Sequence, residues 1–502
     1  MLPRVENQKI ISSHLGDALE KESCTDPGKA DDSCGYVNSK CSNFGGHVNL
    51  LKLRFCSGYH PAVFFIFIGI LMFFMFTWLS IVADKVLAPA LLFFSNLLNI
   101  SPSLASLTIV AFSNGSADLF STFRSSNNAN ADLAVGEILG STIFCISIII
   151  AAISLVKSNV IYPKKDFLRD VFSLFIASVW VTWVLVSGTL HFWQALISLI
   201  LYSIIVYFTY TYTRKDSRPD RAKERLISTN SVKVEIDLNE ETNQSFLIRF
   251  LTFLSDIPLL FCPDEALYNP KKKEKEGSKI SSVIAFFEPT LLLFFVFFYL
   301  DLLNTDIYFS LFNVHIPIVA ICSFFTLCSG FAFHYFHSHP SQVFYAFIRV
   351  LNIVFSVMAS DLLANEIVSV LQALGVVFHI DGDIMGVMVL SPANGVADLV
   401  ADMAIARSSN GILTALSSCL LNPLVNLLAG LFVFITPVAF NNPVSFTLSV
   451  PTVITMVFLF IALLSLTIIM SLNKFRTSKG LAYISPILYV AFLVTMVWYT
   501  LH

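Results

Sequence analysis

The chain has 502 residues, of which 56% are hydrophobic and 13% charged, with 48 phenylalanines and a formal net charge of −3. An ordinary soluble domain carries roughly 25% charged residues, and a soluble chain this apolar has too little polar surface to cover itself. These values exclude a soluble enzyme, a disordered chain, a collagen and a nucleic-acid binder with a basic face, and leave an integral protein of the lipid bilayer.

Residues 1–61 form a polar tail with seven basic residues and four clustered cysteines, Cys24, Cys34, Cys41 and Cys56. On an exported tail this cluster reads as two disulfides with three possible pairings. Four free thiols are the alternative, and the lack of a Cys-x-x-Cys spacing weighs against zinc. Residues 1–23 have no apolar core, so the first span is expected to act as an uncleaved anchor.

A membrane helix needs roughly 20 mostly apolar residues. Twelve such runs follow, near 62–83, 102–125, 131–156, 166–187, 191–212, 281–303, 311–335, 346–371, 383–406, 411–436, 449–471 and 481–500. They are continuous rather than alternating, so helices are expected and not a barrel. They form a first group of five (62–212), a polar segment (213–280), a linking pair (281–345) and a last group of five (346–502). The polar segment reads as a solvated cytosolic loop, in which Lys271, Lys272 and Lys273 offer contact to anionic lipid. The last group enters the membrane from the side opposite to the first, the arrangement of an inverted-repeat transporter. The expected fold is all-α and polytopic, with about twelve transmembrane helices: two inverted five-helix repeats plus two extra helices.

Orientation follows from lysine and arginine. With the faces counted alternately from the tail, the even-numbered loops and their margins hold 23 basic residues and the odd-numbered loops hold one, Arg124, the tail apart. The even face is therefore expected to be cytosolic or matrix-like, with both termini outside.

The two groups share a motif. Asn114-Gly115-Ser116-Ala117-Asp118-Leu119 recurs as Asn394-Gly395-Val396-Ala397-Asp398-Leu399, each in the second helix of its group. An ionised Asp in hydrocarbon is costly, so Asp118 and Asp398 are functional candidates by default. Glycine beside them favours a broken helix whose carbonyls leave the ladder, and Asn114 and Asn394 add hard oxygen ligands. Such oxygens suit calcium or sodium. The third helix of each group is expected to close the site. In the first, Glu137 lies one turn before Ser141; in the second, Asn422 and Asn426 lie one turn apart on one face. Asp402 lies one turn beyond Asp398, with Thr122 at the matching place in the first copy. A hydrogen bond to a neighbouring helix is the alternative role for Ser141, Asn422 and Asn426. Asp361 and Glu366, near the end of the eighth run, carry less weight because an interfacial acid is cheap.

At these residues the sequence resembles the cation/calcium exchanger superfamily, most of all the branch of the mitochondrial sodium/calcium exchanger and the plant cation/calcium exchangers. The first family repeat reads roughly Gly-Asn-Gly-Ala-Pro-Asp, against Ser113 to Asp118 here; the second reads Gly-Asn-Ser-Ile-Gly-Asp, against Ala393 to Asp398. Asp402, Ile405-Ala406-Arg407, Glu366 and Leu374 to Phe378 extend the likeness, and the four tail cysteines fit the same branch. The resemblance implies a ten-helix inverted repeat with two added helices, and exchange of calcium for sodium by alternating access. It also implies Asn114, Asp118, Asn394 and Asp398 as ion ligands. Departures are Ser113, Ala393, Ala117, Cys145 in place of a frequent Asn, Pro423, and Glu137, which brings a proton-coupled site or a third charge.

The expected function is thus a calcium/sodium antiporter, not an enzyme, with no cofactor beyond the transported calcium and sodium ions and no nucleic-acid partner. Proton- or potassium-coupled exchange is the alternative within transport; a channel or a non-transporting receptor is the alternative outside it. The expected location is the plasma membrane or the mitochondrial inner membrane. The sequence carries no sign of an oligomeric state.

Overall fold

The structure is a computed structural model. It describes residues 27–29, 32–41, 49–58, 60–87, 89–91, 93, 115–127, 131–156, 160–215, eight positions between 257 and 299, 306–309, 314–338, 341–407, 412–439 and 443–501. Asn114, Cys24, Lys271 to Lys273, most of 213–280, most of the sixth expected span and the first part of the second lie outside the described residues.

The helices in chain order are α1 (Ser33–Lys40), α2 (Leu50–Cys56), α3 (Pro61–Ile81), α4 (Ser116–Asn127), α5 (Ala131–Phe144), α6 (Ile150–Val156), α7 (Lys164–Val186) and α8 (Phe192–Lys215). Then come α9 (Ile318–Ser338), α10 (Gln342–Phe378), α11 (Gly382–Met385), α12 (Ser391–Arg407), α13 (Ile412–Ala439), α14 (Val450–Leu472) and α15 (Lys479–Leu501). Four short strands, β1 (Thr189–Leu190), β2 (Asp306–Phe309), β3 (Val314–Pro317) and β4 (Val444–Ser445), pair as β1–β4 and β2–β3. Among the described residues nine helices are long and apolar enough to cross a membrane, and they coincide with nine of the twelve expected runs. The fold is all-α and polytopic.

Two expectations change. The seventh run was placed at 311–335, but Asp306–Phe309 and Val314–Pro317 pair as the antiparallel strands β2 and β3, and α9 begins at Ile318. The β-branched and aromatic residues Ile307, Tyr308, Phe309, Val314 and Ile316 suit extended chain, and Pro317 suits the residue before a helix. The second motif was expected to break its helix. Instead the chain stays helical from Gly382 to Arg407, with a π-helical turn at Gly386–Leu390. Pro392 has no N–H to give the Met388 carbonyl, and the wider π turn just before it makes room for the ring.

The described chain falls into two compact units, one of Met1–Phe76, Ser101–Asp237 and Ala364–His502, the other of Thr77–Ile100 and Leu238–Leu363. In the second unit Val82, Val86, Leu292, Phe355 and Ala359 form a small core. There the Tyr299 hydroxyl donates to Asp361 at 2.5 Å, and Asp361 is buried.

The first unit is built around α13, which packs on α4, α5, α7, α8 and α12. Helix α5 is buried over Leu133 to Phe144 and crosses α11 and the π turn at backbone distance. A methyl at Gly136 would overlap the Asp383 carbonyl, and one at Gly386 would overlap the Leu133 carbonyl. Only glycine at both points allows this approach.

Loop pairings link chain segments far apart in sequence. β1, after the fourth expected span, pairs with β4, after the tenth. Ile161, after the third, pairs with Arg476, after the eleventh, supported by Tyr162 N–H to the Phe475 carbonyl at 2.8 Å. In the tail, Cys34 is disulfide-bonded to Cys56, tying α1 to α2 just ahead of α3, and Cys41 is also disulfide-bonded.

Candidate ion-binding site

The repeated acids converge on one helix. Asp118 stands in the first turn of α4 and accepts from the Asn426 amide of α13. Asp398 stands in α12 and accepts from the Asn422 amide of α13 at 2.6 Å. Asn422 and Asn426 are one turn apart, so adjacent turns of α13 hold one acid from each motif copy. The Asn426 amide also lies 3.5 Å from the Ser141 hydroxyl of α5.

A second cluster adjoins the first. Glu137 of α5 is fully buried and accepts from Ser121, from Thr122 at 3.1 Å and from the Asn394 amide at 2.9 Å. Asn394 lies 3.3 Å from Ser121 Oγ, which is itself 3.0 Å from the Asp118 carbonyl. Thus the structure brings Asp118, Glu137, Ser141, Asn394 and Asn426 into one chain of polar contacts across α4, α5, α12 and α13. Asp402 is placed differently: it accepts from the Cys419 thiol at 3.3 Å, a turn away along α12 and α13.

Two features of this cluster bear on cations. Asn422 and Asn426 each give their amide hydrogens to a carboxylate, while their buried Oδ1 atoms meet no hydrogen-bond donor among the described residues. The buried Ser391 hydroxyl, at the start of α12, is in the same condition. An unmade buried hydrogen bond costs about 1–3 kcal/mol, and a cation bound at such an oxygen would offset that cost. Pro423 also has no N–H for the Cys419 carbonyl, which leaves a backbone oxygen beside Asn422. The partners of Asp118, Glu137 and Asp402 given above are all neutral, so none of them supplies a counter-charge to these acids. Among the described residues no three His, Cys, Asp or Glu side chains form a metal cluster. The donor set is therefore mixed, with amide, hydroxyl and carboxylate oxygens, and it suits hard cations.

Some residues of the network were not singled out from the sequence. Ser121 was visible only as part of the motif's flank, although its hydroxyl bridges Glu137 and Asn394. Asp170 is fully buried beside α13, where it takes Arg169 at 2.7 Å, the Tyr162 hydroxyl at 2.8 Å and the Ser417 hydroxyl at 3.3 Å. Burial, and then the Asp170 carboxylate, hold the Tyr162 phenol well above its usual range, so it stays a donor. Asp383 at the crossing accepts from Ser449. The rule that marked Asp118 also marks Asp170: both are acids inside an apolar run.

The family model described as sodium/calcium exchanger protein matches residues 68–211 and 344–498, more than half of the chain. The chain belongs to the sodium/calcium exchanger family. Members of the family are membrane transporters, so the protein carries cations by secondary active exchange and is not an enzyme. It is 25% identical to cation/calcium exchanger 5 of Arabidopsis thaliana over 474 residues, covering 91% of this chain and 86% of that protein. It is 24% identical to the mitochondrial sodium/calcium exchanger protein of Rattus norvegicus over 452 residues, covering 80% and 75%. Among solved structures it aligns with an H+/Ca2+ exchanger at a TM-score of 0.46 and 13% identity, covering 90% of this chain and 85% of that one. It also aligns with the sodium-calcium exchanger NCX_Mj at a TM-score of 0.40 and 11% identity, covering 86% and 99%.

Proposed function

We propose that this exchanger moves calcium against sodium by alternating access, and that Asp118, Asp398, Asn394, Asn422, Asn426 and Ser141 bind the ions together with Asn114. The observation that carries this reading is the convergence of Asp118 and Asp398 on adjacent turns of α13, each paired to an asparagine whose carbonyl oxygen is left over. Two carboxylates balance one calcium ion, and the same oxygens accept two or three sodium ions in its place. Competition for shared oxygens is then the physical basis of exchange. Asp402 lies outside the inner cluster and is assigned to the approach path.

The same reading holds that residues 62–212 and 346–502 are two inverted halves in a twelve-helix protein, with 213–280 as a cytosolic loop and 281–345 as the linking pair. The motif repeat supports it. It places the protein in the branch of the mitochondrial and plant exchangers, in the plasma membrane or the mitochondrial inner membrane. The names of the relatives above support the branch, and the word mitochondrial in one of them supports a mitochondrial membrane.

A second reading, proton-coupled calcium exchange, is favoured by Glu137. That buried carboxyl adds a third acid beside Asp118 and Asn394, one more than a single calcium ion requires.

The test is calcium uptake into proteoliposomes of the purified protein, with sodium, proton and potassium gradients imposed one at a time. Sodium-driven uptake is expected, with loss in Asp118→Asn and in Asp398→Asn. Uptake driven only by a pH gradient selects the second reading. Calcium flux with no counter-ion indicates a channel, and sodium-driven uptake unchanged in both variants removes the site assignment.

A further inference from the structure

Helix α7 carries a lipid-facing stripe and a group of charges at one end of it. Leu168, Phe172, Phe175, Val179, Trp183 and Val186 recur at intervals of three and four residues, and all are exposed. This spacing makes one continuous apolar face. Trp183, toward the far end, packs near Trp180 and Trp193 with ring centroids 5.1 and 6.1 Å apart, the kind of aromatic cluster found at a membrane boundary. From Lys165 to Trp183 the helix rises about 27 Å, close to the depth of a hydrocarbon core. Lys165 therefore stands at the opposite boundary, above the stripe.

At that boundary Lys165, Leu168, Arg169 and Phe172 line a shallow cleft, largely open, on one face of α7. The turn between α14 and α15 is fastened beside it. Tyr162 N–H donates to the Phe475 carbonyl at 2.8 Å, Thr477 N–H donates to the Val160 carbonyl at 3.0 Å, and Lys164 Nζ sits 5.6 Å from the Phe475 ring centroid. Lys474 and Phe475 hold φ of 53° and 59°, left-handed backbone that non-glycine residues seldom adopt. The turn thus has a fixed shape and brings Lys474 and Arg476 beside the chain that enters α7, with Lys479 three residues on at the start of α15. Lys165, Lys474, Arg476 and Lys479 are exposed, and none has an acidic partner among the described residues. Arg169 differs, because Asp170 at 2.7 Å and Asp166 at 3.6 Å neutralise it. It is a fixed hydrogen-bond donor rather than a source of net charge.

We propose that this cleft binds an anionic phospholipid of the adjacent leaflet. The phosphate lies by Lys165 and Arg169 within the field of Lys474, Arg476 and Lys479, and one acyl chain follows Leu168, Phe172 and Phe175 down α7. Two features favour a lipid over a soluble anion or an acidic protein segment. Below the two cations the cleft wall is apolar, and it opens onto the stripe that faces hydrocarbon. The bound lipid would brace α7 against the α14–α15 turn.

The test is native mass spectrometry of the full-length protein with equimolar phosphatidylcholine and phosphatidylglycerol. Retention of phosphatidylglycerol over phosphatidylcholine is expected. Lys165→Gln with Lys474→Gln should lower phosphatidylglycerol retention about fivefold for each charge removed. Both residues are exposed, and an unchanged Tm confirms that the variant is folded. The tail pair Lys40→Gln with Lys52→Gln, exposed and equal in charge change, should leave retention as it was. Equal retention of the two lipids overturns the proposal, as does a cleft variant that holds phosphatidylglycerol like the wild type, or a tail variant that loses it equally. Displacement of the lipid by inorganic phosphate or by a soluble polyglutamate peptide assigns the cleft to a soluble anion or an acidic segment, and overturns it as well.

Discussion

The two asparagines of α13 have divided duties. Each amide nitrogen is committed to an aspartate, and each amide oxygen meets no hydrogen-bond donor among the described residues. On the proposed site, replacing either residue by alanine removes one oxygen ligand and also takes this amide donor from a carboxylate. A hydrogen bond to a charged group contributes about 1.5–3 kcal/mol, so Asn422→Ala and Asn426→Ala should each weaken apparent calcium affinity in the flux assay by about 10- to 100-fold. A purely structural role predicts something else: a lower Tm without ions and an unaltered rise on adding calcium. For ion ligation the rise itself should shrink, because ligand stabilisation scales with occupancy. The measurement is thermal unfolding of the purified protein with and without calcium.

At the scale of elements, helix contact explains why these ligands meet. Helix α5 reaches the α11–α12 segment only because Gly136 and Gly386 carry no side chain at the crossing. Gly386→Leu should push the helices apart, cost at least about 1–3 kcal/mol, and lower both Tm and flux. Gly69, in α3, has nothing within 4 Å of an added methyl, so Gly69→Ala should leave Tm unchanged or raise it. The Asp170 network is a second tie between elements. Asp170→Ala leaves Arg169 short of its main partner and should cost about 3–5 kcal/mol. Tyr162→Phe removes one hydroxyl and should cost about 0.5–1.5 kcal/mol. Equal Tm values for these two variants would contradict the ion-pair account.

The same contacts divide what the sequence made legible from what it did not. The paired acids were legible because the motif repeats and because a charge in an apolar run is expensive. The partnering of Asp118 with Asn426 and of Asp398 with Asn422 was not legible, since it depends on how α4 and α12 cross α13. The break expected at the second motif did not occur, because a π turn resolves the Pro392 conflict without opening the helix. The β2–β3 pairing was missed because a short apolar stretch reads equally as strand or as helix end.

For the molecule as a whole, the test lies in the loops. Loops on opposite faces of a membrane are separated by its thickness and cannot hydrogen-bond. Each pairing in the first unit therefore limits which loops share a face. β1 with β4 joins the loops after the fourth and tenth spans, and Ser449 with Asp383 brings the start of the ninth span to the start of the eleventh. Ile161 with Arg476 joins the loops after the third and eleventh. Every pairing links loops assigned to the same face by alternate counting, although the counting used only apolar runs. Charge then distinguishes the faces, since Lys164, Lys165, Lys474, Arg476 and Lys479 gather on one of them. Cysteines introduced at Thr189 and Lys474, both exposed, read this out in a background with Cys262, Cys322 and Cys328 replaced by Ser. With a membrane-impermeant maleimide applied from outside, Thr189→Cys should label directly. Lys474→Cys should label only after permeabilisation. Labelling of both from one side would break the alternate count, and with it the opposite orientation of the two five-helix groups. Labelling with the sides reversed would keep the count and overturn only the assignment of the basic face to the inside.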